Sequence, residues 1–316
     1  MSYLFMAVWL SVTCSSCSRG YREPAPEPPA PKQTAPKRAP LKLWLGGDVH
    51  IGTELTRLTE GVALEGAMGI VNLEGPIAPG LSAEINSAGV RLRNAVGTPG
   101  ILRAAGVGVV GLANNHRLDD GIAGLESTRR ALQSAGISPV GGSTRIIEHA
   151  SWKLALVARE LGNTSDRKIA ESVRVVVNSS DVVIVSMHVT GPPSYLPSEP
   201  LVAVVDSVVS AGGDIVVVHG SHAVAKVERR ADALIVWGLG NLVFSCDCTR
   251  EQDALLLLLS VTKTAGTLRI GAEVLPLQAG LNGQPARPAA DPHVLMGLLK
   301  SLGSSTLTPS GAAFSF

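Results

Sequence analysis

Aromatic side chains are scarce in this chain of 316 residues, and it has almost no surplus of positive charge. Phe, Trp and Tyr make up 3% of the sequence, whereas apolar residues of all kinds make up 45%. A core of Val, Leu, Ile and Ala is typical of a parallel-type sheet that helices cover on both faces. The formal net charge of +1 provides no large basic field for nucleic acid. We therefore expect neither DNA nor RNA as a partner.

An N-terminal apolar run long enough to cross a bilayer is also missing. The stretch from Tyr3 to Val12 is too short for a transmembrane helix, but it fits the apolar segment of a secretory leader. Cys14 follows in a context loosely similar to a lipoprotein cleavage site. We therefore predict a leader over residues 1–21, export to the cell envelope, and Cys14 as the candidate for a lipid anchor. A mis-assigned start codon or a disordered tail is the alternative.

Proline is dense between residues 22 and 40, where the sequence reads REPAPEPPAPKQTAPKRAP. Prolines remove backbone donors and fix φ, which favours an extended, semi-rigid spacer over a packed structure. This segment is predicted to be a linker, as a surface-tethered domain would need. Residues 41–316 are long enough to form one large domain.

Apolar strand candidates alternate with helical patterns through most of residues 41–316. Short apolar runs such as Met68 to Leu73 and Asp181 to Met187 predict buried strands. The run from Ile122 to Ala135 has its apolar residues at helical spacing. This alternation of strands and helices predicts a layered α/β fold.

Polar and titratable residues cluster at the carboxyl ends of the predicted strands. Nine such residues follow five strands: Asp48, His50, Asn72, Glu74, Asn115, His116, His188, His219 and His222. In open α/β sheets, ligands bind outside the carboxyl ends of the strands. We therefore expect these side chains to converge on one rim of the fold.

Histidine is concentrated at these strand ends, since only His149 and His293 of the seven histidines lie elsewhere. Imidazole is the commonest metal ligand, and mixed His, Asp, Glu and Asn ligands suit divalent zinc, manganese or iron. Two ions a few ångströms apart require a shared carboxylate and ligands from several loops. The strand-end residues provide both, so the sequence predicts a site for two divalent metal ions.

Each of these residues also has an interpretation that involves no metal. Asp48 by itself is more often a turn or cap residue, and Asn72 with Glu74 could simply build a turn. Asp119 or Asp120 could cap the helix that follows. A single histidine at a strand end is usually structural or solvated. The joint placement of nine polar residues at strand ends favours the metal site over these separate explanations.

Six motifs occur in order between Lys42 and Phe244: GDVHIG, NLEGP, ANNHRLDDG, MHVTG, VHGSH and WGLGNLVF. Together they resemble the successive motifs of the CapA capsule-synthesis family, which is associated with poly-γ-glutamate synthesis. That family is similar to the calcineurin-like metallophosphoesterases. The resemblance implies a layered α/β/β/α sandwich of the calcineurin-like metallophosphoesterase type with a two-metal site.

The resemblance also implies seven metal ligands, carried over motif by motif. The first ion would be held by Asp48, His50 and His222, with Glu74 as the bridging carboxylate. The second ion would be held by Asn115, His188 and His219. His116 is implied as a general acid beside the substrate, with Asp119 orienting its other ring nitrogen.

The chain departs from the family pattern at three places. Arg117 stands where the phosphoesterases have an acidic residue, and Val189-Thr190 replaces the usual Trp-Gly. The closing histidines, His219 and His222, are one residue further apart than usual. These departures keep a non-catalytic alternative open.

The expected function is that of an exported metal-dependent hydrolase in capsule or poly-γ-glutamate biosynthesis or release. Its substrate would be an anionic polymer or a phosphoester, and its expected partners are capsule-assembly proteins of the membrane. One alternative is a non-catalytic cell-envelope scaffold that binds anionic polymer or assembly partners. The other is a general exported phosphoesterase. Cys246 and Cys248 are compatible with free thiols, a local disulfide or a weak metal clip, and the sequence does not choose among them.

Overall fold

A computed structural model describes residues 38–52, 55–64, 66–80, 83–86, 89–163, 166–191, 194–246, 252–304 and 313–315. The predicted leader, Cys14 and most of the predicted linker lie outside these residues. From Arg38 onward the chain forms one compact unit.

Five α-helices, eighteen strands and two short 3-10 helices make up the described chain. The helices are α1 (Thr98–Ala104), α2 (Gly121–Ser134), α3 (Asp166–Val176), α4 (Glu199–Ser210) and α5 (Pro292–Ser301), with 3-10 turns at Leu161–Asn163 and Val177–Ser179. The first nine strands are β1 (Leu41–His50), β2 (Met68–Leu73), β3 (Ala83–Asn86), β4 (Gly89–Leu92), β5 (Val107–Gly111), β6 (Ser138–Val140), β7 (Arg145–His149), β8 (Trp152–Glu160) and β9 (Val182–His188). The remaining strands are β10 (Ile215–His219), β11 (Val227–Arg230), β12 (Ala233–Val236), β13 (Asn241–Phe244), β14 (Asp253–Thr264), β15 (Thr267–Gln278), β16 (Gly280–Leu281), β17 (Arg287–Pro288) and β18 (Ala313–Ser315). Of the helices described here, none has both the length and the apolar character needed to cross a membrane.

The strands form two large sheets and a separate hairpin of β3 and β4. The first sheet has ten strands, with the main order β17-β15-β14-β1-β2-β5-β6. Within it β1, β2, β5 and β6 are parallel, and β1 also pairs in parallel with β13. The second sheet has the order β11-β12-β10-β9-β8-β7 and a parallel centre from β8 to β12. Parallel neighbours place the carboxyl ends of several strands at one edge of each sheet.

Three apolar clusters separate the layers. The largest lies between the two sheets and joins residues such as Leu43 of β1 to Ile184 of β9. A second covers the outer face of the first sheet with side chains of α1 and α2, including Leu102 and Leu132. A third packs α3 and α4 on the outer face of the second sheet. The predicted α/β/β/α sandwich is therefore confirmed.

Strand β9 illustrates why an unbroken apolar run is needed at this place. Its side chains alternate between faces, so Val182 and Ile184 enter the cluster between the sheets. Val183 and Val185 enter the cluster beneath the helices. A strand buried on both faces has no polar side, and its run of valine and isoleucine follows from that position.

The end of the predicted linker contacts the folded unit. The guanidinium of Arg38 lies 4.0 Å from the ring centroid of Trp152 and donates a 2.8 Å hydrogen bond to Asp181. The indole N–H of Trp152 donates to the carbonyl of Ala39 (3.1 Å). The compact unit therefore begins at Arg38, slightly before the start predicted at residue 41.

Asp181→Asn is expected to lower the free energy of unfolding by about 2 kcal/mol at neutral pH. The hydrogen bond from Arg38 lowers the pKa of Asp181 to about 2 against the opposing effect of burial, and the backbone N–H of Lys153 assists. Because the folded pKa lies below that of an unfolded aspartate, this stability is complete above roughly pH 4 and lost as the pH falls toward 2. Urea unfolding across this pH range measures the difference. Asp232→Asn, at a carboxyl that is 96% exposed, should leave the profile unchanged. Equal profiles for wild type and Asp181→Asn would contradict the argument.

Candidate metal centre

The carboxyl ends of β1 and β2 in the first sheet meet those of β9 and β10 in the second. Strand register aligns Asp48 with Asn72 in the first sheet and His219 with His188 in the second. The two pairs of strands approach each other closely, because His219 Nδ1 lies 3.2 Å from Asp48 Oδ1. The candidate site therefore spans both sheets at the strand ends.

Asp48 is held rigidly at the centre of this junction and is only 1% exposed. Its Oδ1 accepts a hydrogen bond from the side-chain amide of Asn72 (2.9 Å). Its Oδ2 accepts one from the backbone N–H of Gly220 (2.9 Å) and lies 3.7 Å from His222 Nδ1. The surrounding donors orient both carboxylate oxygens toward the histidine-rich edge of the second sheet.

Glu74 is the second buried carboxylate, at 1% exposure. Its Oε1 lies 3.2 Å from His188 Nε2, and its Oε2 lies 4.0 Å from His116 Nε2. Oε2 has no hydrogen-bond donor in the described chain. A buried carboxylate oxygen without a donor is costly, and a cation is the partner that would satisfy it.

The charges in this junction favour the ionised form of Asp48. Burial raises the pKa of Asp48, but the contact with His219 and the positive charge of the neighbouring histidines outweigh burial and hold it well below its usual range. Burial lowers the pKa of His188, but the hydrogen bond and charge of Glu74 and the charge of Asp48 produce a net increase. A buried anionic Asp48 with a second carboxylate group nearby forms an electrostatic environment suited to a cation.

Three of the predicted ligands converge most closely. One ligand atom from each of Asp48, Glu74 and His222 lies within 4.8 Å of the other two. In the described ranges no further His, Cys, Asp or Glu side chains form such a group. Two carboxylates and an imidazole suit divalent zinc, manganese or iron. These residues therefore fit a divalent cation.

His222 is fixed in an uncommon backbone conformation. Its φ is +51°, a left-handed value that costs free energy in a residue other than glycine. Its Nδ1 lies 2.8 Å from Asn241 Oδ1, and its ring packs edge-on against Phe244 with centroids 5.1 Å apart. The left-handed backbone of His222 in the loop after β10 therefore costs conformational free energy, and it places this imidazole near Asp48.

His116 lies beside the carboxylates and is oriented by a partner of its own. Its Nδ1 is 2.8 Å from Asp119 Oδ2, which also accepts the backbone N–H of Leu92 (2.6 Å). An ionised carboxylate only accepts, so Nδ1 is the donating nitrogen. The other nitrogen, Nε2, is directed toward Glu74. The contact between His116 and Asp119 is one that the resemblance implies, and the role of His116 as a general acid stays a prediction.

Asp120 is at the N-terminal end of α2, but its side chain makes no capping hydrogen bond. Its carboxylate accepts from Arg93 Nε at 2.8 and 2.9 Å. That contact, together with Glu84, raises the pKa of Arg93. The capping interpretation of Asp120 is therefore wrong, because the guanidinium next to the hairpin competes successfully for the carboxylate.

The structure places Asn115 at the surface and the adjacent Asn114 in the buried network. Asn114 Nδ2 donates to Asn72 Oδ1 (3.1 Å) and to the carbonyl of Leu73 (2.7 Å). Asn114 Oδ1 is buried without a hydrogen-bond donor among the described residues. The ANNH motif predicts an asparagine at this point of the site. The local turn determines that Asn114 points inward, and not Asn115, which was the predicted metal ligand.

His50 is fully buried at the end of β1. Its Nε2 lies 3.1 Å from the carbonyl oxygen of Arg93, and its ring centroid lies 5.4 Å from that of Phe244. It is outside the closely converging group of three. Asn114, Gly220 and Asn241 contribute hydrogen bonds to the site and were not predicted as site residues, although all three lie within the six motifs.

Gly220→Ala is expected to destabilise the protein by roughly 3 kcal/mol. Gly220 has a φ of +85°, and a Cβ there would lie 2.1 Å from the carbonyl oxygen of Val189 and 2.5 Å from His188 Cε1. Gly297→Ala is the matched control, since Gly297 lies inside α5 with open space around it. That change should stabilise by about 1 kcal/mol. Urea unfolding of both variants is the measurement, and equal effects would contradict the steric argument.

Cys246 takes part in a disulfide bond. The other three cysteines, Cys14, Cys17 and Cys248, lie outside the described residues. The free-thiol and metal-clip interpretations are therefore wrong for Cys246.

Comparison with known proteins identifies the family. The model of the bacterial capsule synthesis protein family PGA_cap matches residues 60–158 and 145–246, which together cover more than half of the chain. These ranges include Glu74, His116, His188, His219 and His222.

Two curated relatives are also similar to the chain. The capsule biosynthesis protein CapA of Bacillus anthracis is 24% identical over 217 residues, which cover 60% of this chain and 52% of the relative. A probable polyglutamine synthesis accessory protein of Mycobacterium tuberculosis is 27% identical over 209 residues, which cover 54% of this chain and 55% of the relative. The chain spans about half the length of the curated relatives it matches. The family predicted from the six motifs is confirmed, and the chain belongs to the PGA_cap family of bacterial capsule synthesis proteins.

Proposed function

We propose that this chain is a metal-dependent hydrolase that acts on an anionic polymer in the synthesis or release of capsule or poly-glutamate. The observation that carries the proposal is the convergence of Asp48, Glu74 and His222 within 4.8 Å, combined with the unsatisfied oxygen of Glu74. A structural ion-pair cluster would be expected to satisfy that oxygen internally. The names of the relatives concern capsule biosynthesis and polyglutamine synthesis, which supports the choice of polymer.

Asp48, Glu74 and His222 would hold one divalent ion in this proposal. His188 and His219 adjoin the carboxylates, at 3.2 Å in each case, and are the residues we assign to a second ion. Lewis-acid polarisation of the scissile group and activation of water are the chemistry that divalent ions would supply there. His116 would exchange a proton with the substrate through Nε2, while Asp119 fixes the orientation of the ring.

The experiment is metal analysis of the purified protein combined with hydrolysis assays. Poly-γ-glutamate and a model phosphodiester are the substrates, each tested before and after chelation and after readdition of zinc, manganese or iron. The proposal predicts bound metal and turnover that chelation abolishes. Protein that binds the polymer without metal and without turnover would overturn it and support the scaffold alternative. Turnover of the phosphodiester alone would favour a general phosphoesterase.

We further propose that the protein acts in the cell envelope, anchored through Cys14 and spaced by the Pro-rich segment. The disulfide at Cys246 supports an oxidising compartment outside the cytoplasm. Membrane capsule-assembly proteins are the proposed partners. Membrane fractionation of wild type and Cys14→Ser is the test, and unchanged membrane association in the variant would remove the lipid anchor.

A further inference from the structure

Two of the residues that line a cavity of about 650 Å³ are neighbours of predicted site residues. Arg117, which directly follows His116, forms one side of it. Glu160 forms another side and is aligned with His188 in the register of β8 and β9. Arg117 and Glu160 form an ion pair with each other, so the wall of the cavity connects the segments that carry His116 and His188. A ligand in the cavity would therefore lie next to the proposed reaction centre.

Arg159 lines this cavity near the end of β8. Its guanidinium donates to the carbonyl of Ala158 (2.9 Å) and to the hydroxyl of Ser172 (2.8 Å). Among the described residues no carboxylate pairs with it, and burial lowers its pKa. A guanidinium has five N–H donors, so donors remain for a ligand.

Other partly buried arginines of the chain are neutralised by carboxylates. Arg93 pairs with Asp120, and Arg230 pairs with Asp206. Removing a guanidinium from water without a counter-ion is unfavourable. The position of the Arg159 guanidinium at the cavity wall is explained if an anionic ligand provides its negative counter-charge.

The charge of the cavity indicates which anion fits. Its wall carries three cations and two carboxylates: Arg117, Arg159, Lys168, Glu160 and Glu171. The Arg117–Glu160 pair is internally neutral, which leaves a formal surplus of one positive charge. That surplus matches a single carboxylate better than a dianionic phosphate. The planar fork of an arginine also suits two-point binding of a carboxylate.

We propose that this cavity is a substrate subsite in which Arg159, assisted by Lys168, binds a side-chain carboxylate of the polymer adjacent to the unit that is cleaved. This inference rests on the proposed function and names the part of the substrate that the enzyme recognises. The subsite selects a carboxylate-bearing chain, and the metal centre is where the chain would react.

Binding of a short γ-linked glutamate oligomer, measured by calorimetry, tests the subsite without requiring turnover. Arg159→Gln should raise the dissociation constant roughly ten- to hundredfold, as expected for loss of charge-assisted hydrogen bonds. Arg159→Lys should bind with intermediate affinity, because it restores charge without the fork. Arg174→Gln is the matched control, since Arg174 lies on the same helix, α3, as Lys168 but outside the cavity lining.

Three further comparisons make the outcome decisive. Lys168→Gln, at an exposed position of α3, should weaken binding by a smaller factor and serves if Arg159→Gln does not fold. A neutral amidated oligomer should bind wild type and Arg159→Gln equally. Inorganic phosphate should show little dependence on Arg159, and a larger dependence for phosphate than for the oligomer would overturn the carboxylate assignment.

The metal content of Arg159→Gln separates this inference from the proposed function. Arg159 is no metal ligand, so the variant should retain metal at the wild-type level. Oligomer binding that depends on Arg159 in a protein without metal or turnover would sustain the subsite and reject the hydrolase. Normal oligomer affinity in Arg159→Gln, or no binding to wild type, would reject the subsite, whatever the hydrolysis assay gives.

Discussion

Glu74→Gln should deplete the protein of bound divalent metal and reduce hydrolysis by about 100-fold or more. The substitution keeps the size of the side chain and removes the charge at Oε2, the buried oxygen that has no donor. It also introduces an amide N–H₂ group, which repels a cation. Metal stoichiometry by elemental analysis and turnover of the substrate are measured on the same preparation.

The control for this variant is Glu126→Gln, which makes the same chemical change at a half-buried position of helix α2. Among the described residues Glu126 forms an ion pair with Arg129 on the same helix, so metal content and activity should stay at wild-type levels. Glu74→Gln also changes the side chain that contacts His188, and this change could disturb folding. Thermal unfolding of the variant is therefore measured to exclude misfolding. A folded Glu74→Gln protein with full metal content would contradict the role assigned to Glu74.

The sequence predicted the position of the site because parallel strands have simple geometric consequences. Met68–Leu73 was predicted as a strand with the bounds that the structure has. In the second sheet, the apolar runs before His188 and His219 became the adjacent parallel strands β9 and β10. Once such strands are parallel, the residues that follow them must lie at one edge. Contacts of 4.0 Å or less join the predicted residues in two groups, Asp48 with His219 and His222, and Glu74 with His188, His116 and Asp119. Ligand atoms of Asp48 and Glu74 lie within 4.8 Å of each other and bring the two groups together.

The details within the site depended on geometry that spacing does not contain. The choice between Asn114 and Asn115 follows from the turn after β5, which directs only one amide inward. Asn241 reaches His222 because β13 returns beside β1, a tertiary pairing with no local signal. Gly220 donates to Asp48 across the junction of the two sheets. Each of these contacts joins residues far apart in the chain or depends on one backbone dihedral.

Part of the fold could have been predicted from the sequence but was not. Strand β15, Thr267–Gln278, has alternating buried apolar residues, among them Ile270, Ala272 and Val274. This period of two is typical of a half-buried strand. The β3–β4 hairpin is different, because its strands have only four residues each and its apolar side chains Ala83, Val90 and Leu92 pack in a cluster with Phe244, which is distant in the sequence. Its role in holding Asp119, through the N–H of Leu92, emerges only from the structure.

His116→Ala should retain metal and lower kcat by about 10²- to 10⁴-fold, with little change in KM. The ring of His116 touches Glu74 only at 4.0 Å, so its removal leaves the converging Asp48, Glu74 and His222 intact. The distinguishing measurement compares two substrates. One has a leaving group that is already a good anion, and the other has an alkoxide or amine leaving group that must be protonated. The defect should be large for the second substrate and small for the first, as expected for loss of a general acid.

Asp119→Asn isolates the positioning of that acid. The amide oxygen of Asn can still accept the N–H of Leu92, so the hairpin contact survives while the charge facing His116 Nδ1 is lost. We expect a kcat defect of roughly tenfold with normal metal content, confined to the substrate that needs a proton. His293→Ala, at an exposed position of helix α5, should change neither parameter. Equal losses for both leaving groups in His116→Ala would mean that the histidine supports the metal centre. The three variants are expected to differ: Glu74→Gln loses metal, His116→Ala loses turnover alone, and Asp119→Asn loses part of that turnover. This order follows from the contacts that run from Asp119 through His116 to the buried carboxylates.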